Sequence, residues 1–349
     1  MSLAFTLAVR GLTLLGVLVL VLLLVVVVLG ATGFSDRMLT AIVNEELRGI
    51  REGMARTIHD PDQLEAAVKA RRQELVDFYG LNKPWYTRLP DMVKRVVTLD
   101  LGEARNLRSF KGSPKVASLI MERLPYTVLL LTTATLITTV IGLVVGVKLA
   151  TQVGTFLDRG VSYLSAVSYA LPAWWAGILL IVLLAFDLHL LPAGGLHSTP
   201  PPQGGLLRFL DLLYHAILPI TTLVLVSLGA WIYTVRTMVL NTAQEFFVTV
   251  ARAKGLPESR VMRRYILRVA APPILTNVVL GLAASLGGAI LTETVFNWPG
   301  MGRLYYEAIM TADESVIVAL TFMFTLLYVA ARFLLEVLYV VLDPRIRYT

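Results

Sequence analysis

Residues 11–31 read GLTLLGVLVLVLLLVVVVLGA, a stretch with no charged side chain. A helix needs about 20 consecutive apolar residues to cross the hydrocarbon core of a bilayer, which is roughly 30 Å thick. This stretch is therefore long enough to span a membrane. Because it exceeds the roughly 7–15 apolar residues of a signal-peptide core, we expect a retained helix and not a cleaved signal.

The whole chain has the composition of a membrane protein. Its 349 residues are 56% hydrophobic and 16% charged, whereas soluble domains contain about 25% charged residues. The weak alternation of polar and apolar residues that marks a β-barrel is absent from the sequence. We therefore predict an all-α polytopic membrane protein with six transmembrane helices, at residues 11–31, 124–150, 161–186, 215–235, 274–296 and 316–342. Pro172 removes one helix hydrogen bond and can bend the third of them.

The distribution of basic residues predicts the orientation of these helices. Seven Lys and Arg residues lie between residues 236 and 273, against two acidic residues, and the loops at 187–214 and 297–315 contain few cations. Basic loops stay on the cytoplasmic side, whereas segments longer than about 60 residues cross largely regardless of charge. We expect both termini and the 236–273 loop in the cytoplasm and residues 32–123 outside. The net charge of +7 then reflects topology and does not indicate nucleic-acid binding.

The external segment has the pattern of a small, mainly helical subdomain. Asp60 is a candidate N-cap, with Pro61 at the first helical position and Gln63 two residues later. The segment is either a spacer that orients the helices or a docking surface. The chain thus divides into a cytoplasmic head with the first helix (1–31), the extracytoplasmic subdomain (32–123) and a five-helix core with its cytoplasmic loop (124–349).

The cytoplasmic loop is patterned like a folded element. Residues 242–254 predict a helix with an apolar stripe of Phe246, Phe247 and Val250. Gly255 can adopt the left-handed conformation that stops a helix, and Pro257 can open a second one. Such a loop fits either the groove of a partner protein or a surface of anionic lipid headgroups.

Several stretches resemble one family of transporters. ARAKGLPESRVMRRYILRVAAPP (251–273) resembles the cytoplasmic EAA-type loop of ABC importer permeases, in the version of the dipeptide/oligopeptide family, which includes nickel and glutathione importers. The resemblance extends over roughly residues 74–349. The stretches that carry it are DFYGLNKPWYTRL (77–89), SYALPAWWAGILLI (168–181), LTETVFNWPGMGRLYYEAI (291–309) and LDPRIRY (342–348).

The resemblance implies a permease subunit of the inner or plasma membrane that forms half of the translocation pathway for peptides. Its partners would be a second homologous permease, two ATP-binding subunits, an extracytoplasmic solute-binding protein and membrane lipid. A short helix would couple it to the ATPases through Ala251, Arg252, Ala253, Lys254, Gly255 and Leu256. The chain contains no G-x-x-x-x-G-K-[ST] motif. We therefore expect no enzyme activity, cofactor or metal in this chain, with ATP and Mg held by the partner subunits.

The candidate gate and pathway residues are Glu293, Trp298, Thr132, Thr135, Thr139, Trp174 and Trp175. Glu293 is expected to be a structural or gate residue, and Trp298 a possible anchor at the membrane interface. The threonines either line the pathway or bond to their own or neighbouring helices. Trp174 and Trp175 either line the cavity or pack.

Other functions have weaker support. A membrane-embedded enzyme would need a catalytic cluster, and the four histidines show no H-E-x-x-H spacing. Without cysteine, disulfides, iron–sulfur centres and Cys-ligated zinc are excluded. A self-sufficient secondary carrier would need ionisable residues near the midplane, and these are scarce. The solute stays open, because the same architecture could carry oligosaccharides, nickel or glutathione.

Overall fold

The computed structural model describes residues 3–88, 101–311 and 313–342, and the regular structure of these residues is helical. Two ranges, 89–100 and 343–349, lie outside the described residues. They include parts of two stretches that carry the family resemblance, 77–89 and 342–348. The helices are α1 (Leu3–Ala31), α2 (Phe34–Met54), α3 (Pro61–Phe78), α4 (Val116–Ala150), α5 (Phe156–Ala170), α6 (Ala173–Asp187), α7 (Gly205–Ala243), α8 (Phe246–Ala253), α9 (Glu258–Ser285), α10 (Ile290–Val295), α11 (Met301–Met310) and α12 (Glu314–Leu342).

Four of these helices are long and apolar enough to cross a membrane: α4, α7, α9 and the Ser315–Leu338 part of α12. Helices α5 and α6 meet the same criteria as a pair, with a bend of 98° between them. The bend lies at Leu171 and Pro172, whose backbone is extended, because proline disfavours helix both at its own position and at the preceding residue. The prediction of an all-helical, polytopic chain is confirmed, and the number of six spans stays a prediction.

The predicted fifth span, at 274–296, has the wrong bounds. Helix α9 starts at Glu258 and continues through Pro272 and Pro273, after a π-helical turn at Val261–Ile266. It ends at Ser285, and Gly288 then adopts a left-handed φ of +83° that separates α9 from α10. The second helix of the 236–273 loop and the following span are therefore one continuous helix.

Contacts divide the described chain into two units, and the first contains residues 3–12, 120–306 and 326–342. Within it, α4 and α7 approach closely at Gly142 and Gly146. A Cβ atom on Gly146 would lie 2.9 Å from the carbonyl oxygen of Ile232, and one on Gly142 would lie 2.2 Å from Trp231. Small residues four positions apart allow helix backbones to pack closely in a membrane.

The same unit contains a buried ion pair that sequence reasoning missed. The Asp158 carboxylate accepts hydrogen bonds from Arg236 Nε (2.6 Å), Arg236 Nη2 (2.8 Å) and the Gly154 N–H (2.9 Å). The Asp158 side chain is 5% exposed and that of Arg236 is 16% exposed. The pair joins the first turn of α5 to α7 shortly before α7 ends at Ala243.

The second unit contains residues 13–88, 101–119, 307–311 and 313–325. Helices α2 and α3 pack against each other around Val43, Leu47 and Leu75. Asp60 accepts a hydrogen bond from the Asp62 N–H at 3.0 Å, so the predicted N-cap of α3 is confirmed. Burial and a 2.7 Å hydrogen bond to Glu46 raise the pKa of Tyr79 to about 12.

We predict that Asp158→Asn destabilises the chain by about 3–5 kcal/mol, because it leaves the Arg236 guanidinium buried without its counter-charge. Thermal unfolding in detergent measures the effect. Glu258→Gln is the matched control, since it breaks the exposed ion pair with Arg252 and should cost less than about 1 kcal/mol. Equal losses in the two variants would contradict a structural role for the buried pair.

Candidate functional site

The first unit contains an open cavity of about 630 Å³ between α4, α5, α7 and α9. Its lining contains hydroxyl, amide and aromatic side chains among small and aliphatic ones, and none of the lining residues carries a charge. They are Leu131, Ala134, Thr135, Thr138, Thr139, Tyr169, Leu223, Val226, Ser227, Ala230, Trp231, Thr234, Asn277, Val278, Gly281, Ala284, Ser285, Gly288 and Ala289. Tyr169, Ser227 and Asn277 are also exposed, so the cavity communicates with the surface.

The three candidate threonines of α4 have different positions relative to this cavity. Thr135 and Thr139 line it. The Thr132 hydroxyl lies 3.0 Å from the Ser285 hydroxyl, and Ser285 donates to the Leu282 carbonyl at 2.7 Å. Thr132 therefore joins α4 to α9, as expected for a hydroxyl that bonds to a neighbouring helix.

The two candidate tryptophans of α6 are not among the residues that line this cavity. Trp174 and Trp175 are 39% and 42% exposed. Tyr169, two residues before the bend begins at Leu171, lines the cavity instead. The structure thus brings α5 to the cavity wall and leaves these two tryptophans outside it.

Glu293 forms a clamp at one end of the cavity. Its buried carboxylate accepts hydrogen bonds from the Thr127 hydroxyl (3.1 Å) and from the backbone N–H groups of Arg303 (2.9 Å) and Ala289 (3.3 Å). The Thr127 oxygen accepts in turn from the Met301 N–H at 2.6 Å. We call this set of contacts the Glu293 clamp. It fixes the starts of α10 and α11 against α4, and Ala289 also lines the cavity.

The expectation that Trp298 anchors the chain at the membrane interface is wrong. Its side chain is fully buried and packs with Leu130, Leu218 and Phe296. The indole N–H donates to the Tyr126 carbonyl at 3.0 Å, and the Tyr126 ring stands edge-on at 6.4 Å between centroids. Because its one polar atom already has a partner inside the protein, Trp298 belongs to the core beside the Glu293 clamp.

The 236–273 loop folds as helix, glycine turn and helix, as predicted. The first helix, α8, begins at Phe246 and not at residue 242, because α7 extends to Ala243. Gly255 has a φ of +72°, its N–H donates to the Arg252 carbonyl (2.9 Å), and the Leu256 N–H donates to the Ala251 carbonyl (3.4 Å). These two bonds form a Schellman motif, which closes the helix end.

The apolar face that α8 buries is not the predicted stripe of Phe246, Phe247 and Val250. Val248 and Ala251 are the buried residues and pack with Val235, Val239, Val261 and Ile266. Phe246 is 80% exposed and Phe247 is 37% exposed. The helix therefore buries its smaller side chains against α7 and α9 and presents phenylalanine outward.

The six residues assigned to ATPase coupling by resemblance divide between two faces. Ala251 is buried and Leu256 packs against the same cluster, whereas Arg252, Ala253, Lys254 and Gly255 are exposed. Arg252 pairs across the glycine turn with Glu258, at 2.7 Å and 3.2 Å. This pair raises the pKa of Arg252. Sequence reasoning missed Glu258 as the partner of Arg252 and Thr127 as the partner of Glu293.

We predict that Gly300→Ala destabilises the chain by about 1–3 kcal/mol, the usual cost of overpacking a tight site. A Cβ atom there would lie 2.5 Å from both Glu293 Oε2 and Thr127 Oγ1, so the Glu293 clamp must open to accept it. Thermal unfolding measures the change. Gly160→Ala is the control, since no atom lies within 4 Å of its added Cβ and alanine favours helix by about 1 kcal/mol. Unchanged stability in Gly300→Ala would contradict tight packing of the Glu293 clamp.

Comparison with known proteins gives matches over most of the chain. The family model described as "Binding-protein-dependent transport system inner membrane component" matches residues 118–348. The oligopeptide transport system permease protein AppB of Bacillus subtilis is 32% identical over 280 residues, 80% of this chain and 86% of the relative. The di/tripeptide transport system permease protein DppB of Pseudomonas aeruginosa is 33% identical over 283 residues, 77% and 83% of the two chains. The dipeptide transport system permease protein DppB of Escherichia coli is 30% identical over 295 residues, 80% and 86%. These matches confirm the predicted resemblance.

Proposed function

This chain belongs to the family of binding-protein-dependent transport system inner membrane components, and on that premise we propose that it is a permease subunit of an ATP-driven peptide importer. It is a multi-pass membrane protein. The observation that carries the proposal is the uncharged cavity walled by α7 and α9, the two helices that also hold α8. Relatives named for the transport of oligopeptides, di/tripeptides and dipeptides support peptides as the solute.

In the proposed topology α1 is the first of six spans, and both termini and α8 lie in the cytoplasm. Helices α2 and α3 lie outside. The basic residues of the 236–273 loop support this orientation, and the many charged residues of α2 and α3 suit an aqueous location. The leucine and valine side chains exposed on α1 and α4 suit contact with lipid.

The cavity is the part of the translocation pathway that this chain contributes. A second, homologous permease supplies the rest, and an extracytoplasmic binding protein delivers the solute. The Glu293 clamp acts as a gate element beside the cavity, because releasing its carboxylate would free the starts of α10 and α11.

Two partner ATPases bind and hydrolyse ATP with Mg and dock against the exposed face of α8. The buried face of α8 is fixed to α7 and α9 through Val248 and Ala251. A displacement of α8 therefore moves two walls of the cavity together. Arg252 and Glu258 form an ion pair across the glycine turn. Phe246 provides the anchor, since aromatic side chains in a partner's pocket dominate binding at interfaces.

We predict that Phe246→Ala weakens docking of the ATPases by at least tenfold, since truncating an interface hot spot costs about 2 kcal/mol or more. Co-purification of the ATPase subunits and ATP-driven uptake in proteoliposomes measure the loss. Phe78→Ala is the matched control, because Phe78 is 81% exposed on the external subdomain.

Phe78→Ala should leave the bound ATPase unchanged. If Phe246→Ala retains full ATPase binding and coupled uptake, α8 does not dock the ATPases through this face.

A further inference from the structure

Four exposed arginines on α9 have no partner among the residues that the structure describes. They follow the glycine turn and are Arg260, Arg263, Arg264 and Arg268. The two other arginines of the 236–273 loop do have carboxylate partners. Arg236 pairs with Asp158. Arg252 pairs with Glu258. The guanidinium groups of α9 are therefore available to a negatively charged partner from outside the described chain.

These arginines lie on one face of α9. Helix residues two positions apart point to roughly opposite sides, because the chain turns about 100° per residue. The residues of this stretch that are buried against α7 and α8 are Val261, Ile266 and Ala270. Arg263, Arg264 and Arg268 each lie two positions from one of these buried residues. The packing of α9 thus fixes the arginines on the face that points away from α7 and α8.

The length of α9 places this face at the membrane surface. The part of α9 after Arg268, residues 269–285, carries no charged side chain. It extends over roughly 25 Å, whereas the hydrocarbon core is about 30 Å thick. In the proposed topology Arg268 therefore lies at the edge of the hydrocarbon, and Arg263 and Arg264 lie about one turn further out. The headgroup layer adds about 5–8 Å on each side, so all three side chains reach it.

We propose that Arg263, Arg264 and Arg268 bind the phosphate groups of anionic phospholipids in the cytoplasmic leaflet. Guanidinium groups bind phosphate oxygens bidentately, and basic segments next to a span attract anionic lipids. The inference rests on the proposed function, whose topology places this end of α9 in the cytoplasmic leaflet. It goes beyond that function by separating two surfaces: α8 docks the ATPases, and the arginine face of α9 binds lipid.

The test is binding of short-chain phosphatidylglycerol, which is anionic, and of short-chain phosphatidylcholine, which is neutral, to the permease–ATPase complex in neutral detergent. Arg263→Gln/Arg264→Gln should bind phosphatidylglycerol about thirtyfold more weakly, since each arginine near a lipid surface contributes roughly fivefold. Binding of phosphatidylcholine, the amount of bound ATPase and the unfolding temperature without lipid should not change. Arg263→Lys/Arg264→Lys, which keeps both charges, should bind phosphatidylglycerol nearly as the unaltered complex does.

Lys69→Gln/Arg72→Gln is the matched control, because it removes the same charge from exposed positions of α3. It should leave the affinity for phosphatidylglycerol unchanged. Equal weakening in the two glutamine variants would contradict the inference, and so would unchanged binding in Arg263→Gln/Arg264→Gln or an unaltered complex that does not prefer phosphatidylglycerol.

The same preparations separate this inference from the proposed function. If Arg263→Gln/Arg264→Gln loses the ATPase subunits in neutral detergent, these arginines dock the ATPases. The inference is then wrong while the proposed function stands. If the unaltered chain binds no ATPase subunit, the proposed function fails, whatever the affinity of the chain for lipid.

Discussion

The hydrocarbon of a bilayer offers no hydrogen-bond partner to the backbone, so a spanning chain must satisfy every N–H and C=O group internally. Long helices do this by themselves, and the structure needs side chains wherever a helix breaks. The clearest case lies between α9 and α11, where Glu293 and Thr127 together accept the N–H groups of Ala289, Met301 and Arg303. A buried carboxylate is costly unless its hydrogen bonds are satisfied. Here the Glu293 carboxylate, together with Thr127, holds the starts of α10 and α11 in place.

This constraint also explains how the cavity and the 236–273 loop are related. Helix α9 is unbroken from Glu258 to Ser285, so it contacts α8 near one end and lines the cavity further along. Helix α7 likewise packs with α8 through Val235 and Val239 and lines the cavity further along. In the proposed transporter a rigid α8 therefore moves cavity walls without a separate linkage.

The sequence predicted features that depend on local chemistry. The helical spans follow from runs of apolar residues, the bend between α5 and α6 from Pro172, the start of α3 from Asp60, and the end of α8 from Gly255. Each of these depends on residues within a few positions of one another. The family resemblance was also readable, since its motifs occur in order along the chain.

Features that depend on distant partners could not be predicted. Asp158 and Arg236 are 78 residues apart, and Thr127 and Glu293 are 166 apart. The buried face of α8 was predicted wrongly because its sequence, FFVTVARA, has two apolar faces. Only packing against α7 and α9 selects the face with Val248 and Ala251. The position of Trp298 was predicted wrongly because an indole with one hydrogen-bond donor suits a membrane interface as well as a protein core. The sequence does not show that the donor bonds to the carbonyl of the distant Tyr126.

The most direct test of the central claim is ATP hydrolysis and solute uptake by this chain in proteoliposomes with its partner permease, its two ATPases and a binding protein. The binding protein is loaded in parallel with peptides or with oligosaccharides. We expect the peptide-loaded protein to stimulate ATP hydrolysis and drive peptide uptake, with no uptake when the ATPases are omitted. Uptake that persists without the ATPases would instead identify a self-sufficient carrier, and stimulation by the oligosaccharide-loaded protein alone would contradict peptides as the solute.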